Sequence, residues 1–263
     1  MTAITMPSPT AKLSFGRVIQ GTFGVAWRNL PAFLILIVGC LALPGIMVGL
    51  GLMQLRSGVS EAGVALVGLG YLAMMVGAAV LQPAMVHGAI ADLNGRRATA
   101  GECVRTGLRH ALPVFVILLL SVIAFGFGFV LLVAPGVMLL TAWLVAGPSQ
   151  VVERTGVFAA FSRSGALTKG NRWRVFGLLV LYVIVYGVVQ QVLLNVAGVG
   201  FAAQATAQAG NPFAALSPAY WAVMLLLTVV NTLVSYTGLA VIYYELRRVK
   251  EGVGPEALAA VFD

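Results

Sequence analysis

Three stretches of this chain contain no Asp, Glu, Lys or Arg: Ala62 to Ala91, Ala111 to Val152, and Val175 to Tyr244. No other feature restricts the fold as strongly. A bilayer core about 30 Å thick is crossed by about 20 apolar helical residues, so each stretch is long enough for at least one crossing. In water such runs could not be covered. Soluble domains are about a quarter charged, whereas only 9% of these residues are charged and 60% are hydrophobic. The mean hydropathy is +0.99. The sequence predicts an all-α polytopic membrane protein.

Turn signals divide the longer stretches. Ala134-Pro135-Gly136 interrupts the second, with Pro135 suited to a first helical turn, and Gly210-Asn211-Pro212 interrupts the third within a small, polar segment from Gly198 to Pro218. The expected spans are 31–55, 63–87, 112–133, 135–152, 175–197 and 219–244. Basic residues test this count, because Lys and Arg on short loops mark the cytoplasmic side. Lys12, Arg17 and Arg28 precede the first span; Arg96, Arg97, Arg105 and Arg109 follow the second; Arg154, Arg163, Lys169, Arg172 and Arg174 follow the fourth; Arg247, Arg248 and Lys250 follow the sixth. Only Arg56, near Glu61, falls on the other side. Six spans with both termini cytoplasmic is the solution that keeps every basic segment on one face.

The chain then divides into a flexible arm at 1–13, a six-helix transmembrane domain at 14–252 and a short cytoplasmic tail at 253–263. Lys12, Arg17 and Arg28 interrupt any signal-peptide core, so the first span is expected to be retained. Cys40 and Cys103 lie at different depths, with no disulfide or metal-site spacing, and are read as small apolar fillers.

The six helices are expected as three hairpins, each preceded by a basic amphipathic interfacial helix. Asn29-Leu30-Pro31-Ala32-Phe33 and Ala111-Leu112-Pro113-Val114-Phe115 open two hairpins alike, and Arg172-Trp173-Arg174-Val175-Phe176 opens the third. In the first amphipathic segment Phe15, Val18, Ile19, Phe23, Ala26 and Trp27 share one face, with Arg17, Gln20, Gly24 and Arg28 on the other. In the second, Thr99 and Glu102 have capping-box spacing, and Arg105 and Arg109 oppose Val104, Leu108 and Leu112. The third runs from Thr155 to a stop at Gly170. Arg105, Arg109, Arg163, Lys169, Arg172 and Arg174 are the candidate contacts for anionic lipid headgroups, each contributing on the order of 1 kcal/mol near a membrane surface. Orientation of the spans alone would also account for them. Nucleic acid is excluded as a partner, since the bases are spread over three membrane-bound segments.

No acidic or basic residue falls within any expected span, which disfavours proton coupling and zinc-dependent hydrolysis. Gln82 and His87 at the inner end of the second span match Ser149 and Gln150 at the same depth of the fourth. Close by, Pro83 and Pro148 free backbone carbonyls. These four residues are the candidate lining of a polar cavity open to the inner leaflet, with interhelical hydrogen bonding as the plainer alternative. Ser149 and His87 lack a third group to orient a catalytic pair.

Pro135-Gly136, Pro148, Glu153, Phe161-Ser162-Arg163-Ser164, the run Leu167 to Arg174 and the run Tyr243 to Gly252 together resemble the six-helix membrane domain of the bacterial glycerophosphoryl diester phosphodiesterase membrane-domain family. The resemblance covers about residues 14 to 252 and is densest from Pro135 to Arg174. It implies a bacterial inner-membrane protein of six helices, standing alone without the soluble catalytic domain that uses His, Glu and Asp around a metal. It does not carry the phosphodiesterase activity over, because the histidines are His87 and His110 only. The expectation is a non-enzymatic, lipid-interacting scaffold or accessory protein without a cofactor, whose partners are membrane phospholipid and either another membrane protein or a second copy of the chain. A transporter or permease subunit for a small or amphipathic substrate is the alternative. An intramembrane enzyme is the third reading.

Overall fold

A computed structural model describes residues 12–55, 58, 60–196 and 218–252, and among them every regular element is helical. The helices are α1 (Phe15–Arg28), α2 (Leu30–Ile37), α3 (Leu43–Gln54), α4 (Glu61–Leu93), α5 (Ala100–Leu131), α6 (Val133–Trp143), α7 (Ala146–Glu153), α8 (Val157–Thr168), α9 (Arg172–Val196) and α10 (Pro218–Glu251). Six segments are long and apolar enough to cross a membrane: Leu30–Gln54, Glu61–Leu93, Ala100–Val130, Val133–Glu153, Arg172–Val196 and Trp221–Glu251. The described part is an all-α polytopic membrane protein. The expected turn at Gly210-Asn211-Pro212, Arg56 and the tail from 253 lie outside the described residues.

Helix length explains where the molecule is packed. At 1.5 Å per residue, α4 with 33 residues, α5 with 32 and α10 with 34 each measure roughly 50 Å, about 20 Å longer than a hydrocarbon core. The surplus turns of all three lie at the end carrying the arginines. There they meet water and headgroups, so apolar burial provides a driving force that lipid does not. The core sits at this basic end: Phe33 and Ile37 of α2, Leu81 and Met85 of α4, Val114 of α5, Leu167 of α8, and Tyr243 and Leu246 of α10 are all but fully buried. Towards the opposite end the helices separate, and an apolar groove of about 380 Å³ opens between α3, α4 and α10, lined among others by Gly45, Met53, Tyr71, Met74 and Leu225.

The first span is not one regular helix. Val38–Ala42, between α2 and α3, is π-helical, and its Cys40 carbonyl lies where a Cβ on Gly77 would approach to 1.9 Å. Only glycine permits α4 to pass so close to the widened turn.

The second hairpin reverses at a different residue from the one the sequence suggested. Leu132 alone is extended (φ −166°, ψ 148°) between α5 and α6, and Pro135 falls inside the first turn of α6. A missing N–H costs nothing there, because the first turn has no intrahelical acceptors to satisfy it. Gly136 packs so tightly on Phe129 that a Cβ would lie 2.7 Å from its ring.

The interfacial helices depart further from expectation. The second is not separate: the capping box forms, with Glu102 N–H donating to Thr99 Oγ1 at 3.2 Å and Thr99 N–H to Glu102 Oε2 at 3.3 Å, but α5 then continues through Pro113 into the span. No stop signal follows the cap, and the carbonyl that Pro113 leaves free belongs to Arg109, which is exposed. The first is a separate helix with a divided apolar face. Val18, Thr22, Val25 and Ala26 of α1 are buried, α1 packing chiefly along α10, while Phe23 and Trp27 remain 60% and 78% exposed. The third, α8, is drawn into the bundle, burying Ala160, Phe161, Ser164, Leu167 and Thr168. Leu13, assigned by sequence to the flexible arm, belongs to the folded part: its N–H donates to Asn171 Oδ1 at 3.2 Å and its carbonyl accepts from Arg174 Nη1 at 2.6 Å.

Candidate headgroup site at the basic end

The fourth span supplies the first element of the site. It breaks between α6 and α7 at Leu144 and Val145, just before Pro148. A break at this depth leaves carbonyls without intrahelical partners. The Ala142 carbonyl is met from α8, by Ser164 Oγ at 2.7 Å and Thr168 Oγ1 at 3.5 Å. Both hydroxyls are fully buried, which explains why polar residues occupy the inward face of an otherwise apolar helix.

The same break brings α7 against α4 and α5, and with it the four residues expected to line a cavity. They come together, but three of them do not face open space. Ser149 is wholly buried, with its hydroxyl turned back one turn to the Val145 carbonyl at 2.8 Å. Gln150 is 5% exposed, and its Oε1 accepts from Nδ1 of His110 at 3.2 Å. Gln82 is equally buried, lies against Gly147, and its Oε1 finds no donor. Of the four, only His87 remains half-buried. The expected cavity is therefore corrected to a packed interhelical contact with one histidine at its edge. Sequence reasoning missed His110 as a partner in this contact; α5 being continuous through Pro113 is what carries His110 to the depth of Gln150.

The expected headgroup contacts divide into two groups. Arg105, Arg109 and Lys169 are exposed. Arg163 is not free for a headgroup and is corrected: its Nε donates to both Glu153 oxygens at 2.9 and 2.8 Å, and its Nη2 to Glu251 Oε1. Burial works against its charge, but the hydrogen bonds it donates to Glu153 and Glu251 outweigh that and hold the guanidinium above the usual arginine range. Arg174 holds the Leu13 carbonyl, and Arg172 is half-buried with Nε unpartnered.

Glu153 also accepts from the buried Tyr243 hydroxyl at 2.8 Å, and Arg247 donates to Glu251 at 2.8 Å. This network joins α7, α8 and α10. On its far side Arg17 pairs with Glu245 at 3.0 Å, and Arg28 pairs with Asp92 at 2.5 Å. Beyond the networks, large apolar side chains stand exposed at the same end. Trp173 at 82% and Phe158 at 81% join Trp27, and rings so placed suit the layer between hydrocarbon and water.

No family model matches the chain, and neither a curated protein nor a solved structure does. The site has to be read from its own chemistry.

Proposed function

We propose that this protein is a non-enzymatic integral membrane protein that holds anionic phospholipid at its basic end, serving as a lipid-interacting scaffold or accessory component. The basic end faces the cytoplasm of a bacterial inner membrane, with both termini on that side, and the chain is a relative of the membrane domain that its sequence resembles. One observation carries the reading. Arg97, Arg105, Arg109, Arg154, Lys169 and Lys250 have no ion-pair partner among the described residues, although carboxylates nearby are engaged by other arginines. Unpaired cations at headgroup depth beside exposed Trp27 and Trp173 are what an anionic leaflet attracts.

A transporter would use the broken fourth span, since discontinuous helices offer free backbone groups to a substrate. Here the Ala142 carbonyl is already satisfied by Ser164. That favours a structural role for the break.

Lipid analysis tests the proposal. Protein purified from bacterial membranes in a mild uncharged detergent should retain phosphatidylglycerol or cardiolipin at several times its proportion in the bulk membrane extract. Retained lipid of bulk composition would remove the support for headgroup recognition.

A further inference from the structure

The basic side chains at this end are not evenly spread, and one group of them converges. Arg96, Arg154 and His110 lie within electrostatic reach of His87, and Arg109 and Arg154 lie within reach of His110. These residues come from three elements packed together, α4, α5 and the end of α7. Among the described residues the carboxylates at this junction are already engaged, Glu102 by Arg96 at 3.4 Å and the Thr99 N–H, and Glu153, which precedes Arg154, by Arg163 and the Tyr243 hydroxyl. Arg109 and Arg154 brought to one junction repel each other unless an anion shares it.

Depth narrows the identity of that anion. Counting about twenty residues inward from Leu131 at the far end of α5 reaches Leu112, so Arg109 lies within a turn of the hydrocarbon boundary. The same count from Glu61 along α4 reaches the region of Leu81, which puts His87 about two turns further out, beyond the boundary. Arg154 immediately follows the end of the fourth span at Glu153. All three stand in the headgroup layer. Leu108 and Leu112, 62% and 72% exposed beside Arg109, offer apolar surface for the chain attached to such a headgroup.

Arg154 carries a second signal. It is the non-glycine residue with positive φ among the described residues (φ 53°, ψ 34°), a conformation that costs an arginine energy and that glycine or asparagine would adopt more readily. Its side chain is exposed and makes no ion pair. No ion pair among the described residues offsets that cost.

We propose that the junction of α4, α5 and α7 is a discrete site for the phosphate of an anionic phospholipid, gripped by Arg154 and Arg109 with His87 at its inner edge. The inference rests on the lipid-interacting reading above and adds to it a specific location. Arginine forks match phosphate oxygens in pairs, and His87 adds a ring nitrogen at the floor.

The test is native mass spectrometry of the full chain in uncharged detergent, titrated separately with dioleoyl phosphatidylglycerol and dioleoyl phosphatidylcholine. Arg154→Gly suits the left-handed backbone and removes the guanidinium, Arg154→Lys keeps a charge, and Arg248→Gln removes a cation that is already paired with Glu245. The wild type should prefer phosphatidylglycerol. Arg154→Gly, and Arg154→Gly with Arg109→Gln, should weaken that lipid by about fivefold for each cation removed. Arg154→Lys should retain most of the affinity and Arg248→Gln all of it. Melting temperatures matching the wild type establish that each variant is folded. Equal phosphatidylglycerol binding by the wild type and the double variant would overturn the site while leaving the broader reading in place. No preference over phosphatidylcholine in the wild type would overturn both. Displacement of the lipid by millimolar inorganic phosphate would assign the site to a soluble phosphate and overturn the lipid assignment.

Discussion

The basic end has two flanks, and they use the same residue type in opposite ways. On the flank formed by α1, α8 and α10, Arg17, Arg163, Arg247 and Arg248 each face a carboxylate of another turn or another helix. On the flank formed by α4, α5 and the turn that follows α7, Arg109 and Arg154 face none among the described residues, and Arg96 has only the longer contact to Glu102. The difference separates arginines that hold helices together from arginines that pair with nothing among the described residues. Net charge alone would not reveal it, since both flanks read as basic in sequence.

The largest break in this comparison comes from Arg163. Removing it in Arg163→Met leaves Glu153 and Glu251 without their shared cation and Tyr243 bonded to an uncompensated carboxylate. The pair is only partly buried, with side chains 29% and 19% exposed, so the expected loss is about 2 kcal/mol, below the roughly 3 to 5 of a fully buried pair. A thermal melt in detergent measures it. Adding Glu153→Gln should restore part of the loss, because the orphaned charge is then gone. An unchanged melting temperature in Arg163→Met would mean that the flank is held by packing alone.

Ser164 sharpens the same flank with a smaller effect. Ser164→Ala leaves the Ala142 carbonyl with only the 3.5 Å contact to Thr168. The expected destabilisation is about 1 to 2 kcal/mol, the usual cost of a buried acceptor without a donor. A substitution that shifts the melt by less than a degree would show that the break in the fourth span is satisfied from elsewhere.

The sequence made the six spans legible because hydrocarbon excludes charge, and that rule acts on every residue of a crossing. Boundaries between span and interface were harder to read. Nothing in the run from Thr99 to Leu131 tells a reader whether Pro113 ends one helix or sits inside another, since Pro is tolerated where the carbonyl it frees can reach water. Gln82, Ser149 and Gln150 were recognised as a group at one depth, yet periodicity does not say whether polar residues converge on a space or on each other. The pairing of Arg163 with Glu153 and Glu251 joins residues 10 and 88 positions apart. Spacing along one helix carries no trace of the longer of these. Arg154 was counted only as one more cytoplasmic charge, because a positive φ at a non-glycine residue leaves no mark in composition.

The smallest effect tests the unpaired flank itself. Arg105 is exposed on α5, one turn from Arg109, and makes no ion pair. In uncharged detergent Arg105→Gln should therefore leave stability within about 0.5 kcal/mol of the wild type, as surface changes without a partner usually do. In nanodiscs containing phosphatidylglycerol the wild type should gain stability over its value in phosphatidylcholine, and Arg105→Gln should gain less by about 1 kcal/mol, the worth of one cation at an anionic surface. Melts of both proteins in both nanodiscs give the four values needed. If Arg105→Gln loses the same stability in detergent as in anionic nanodiscs, Arg105 is a structural residue like Arg163, and the division between the flanks does not hold. If the loss occurs only where the headgroups are charged, the partner absent from the protein is supplied by the bilayer.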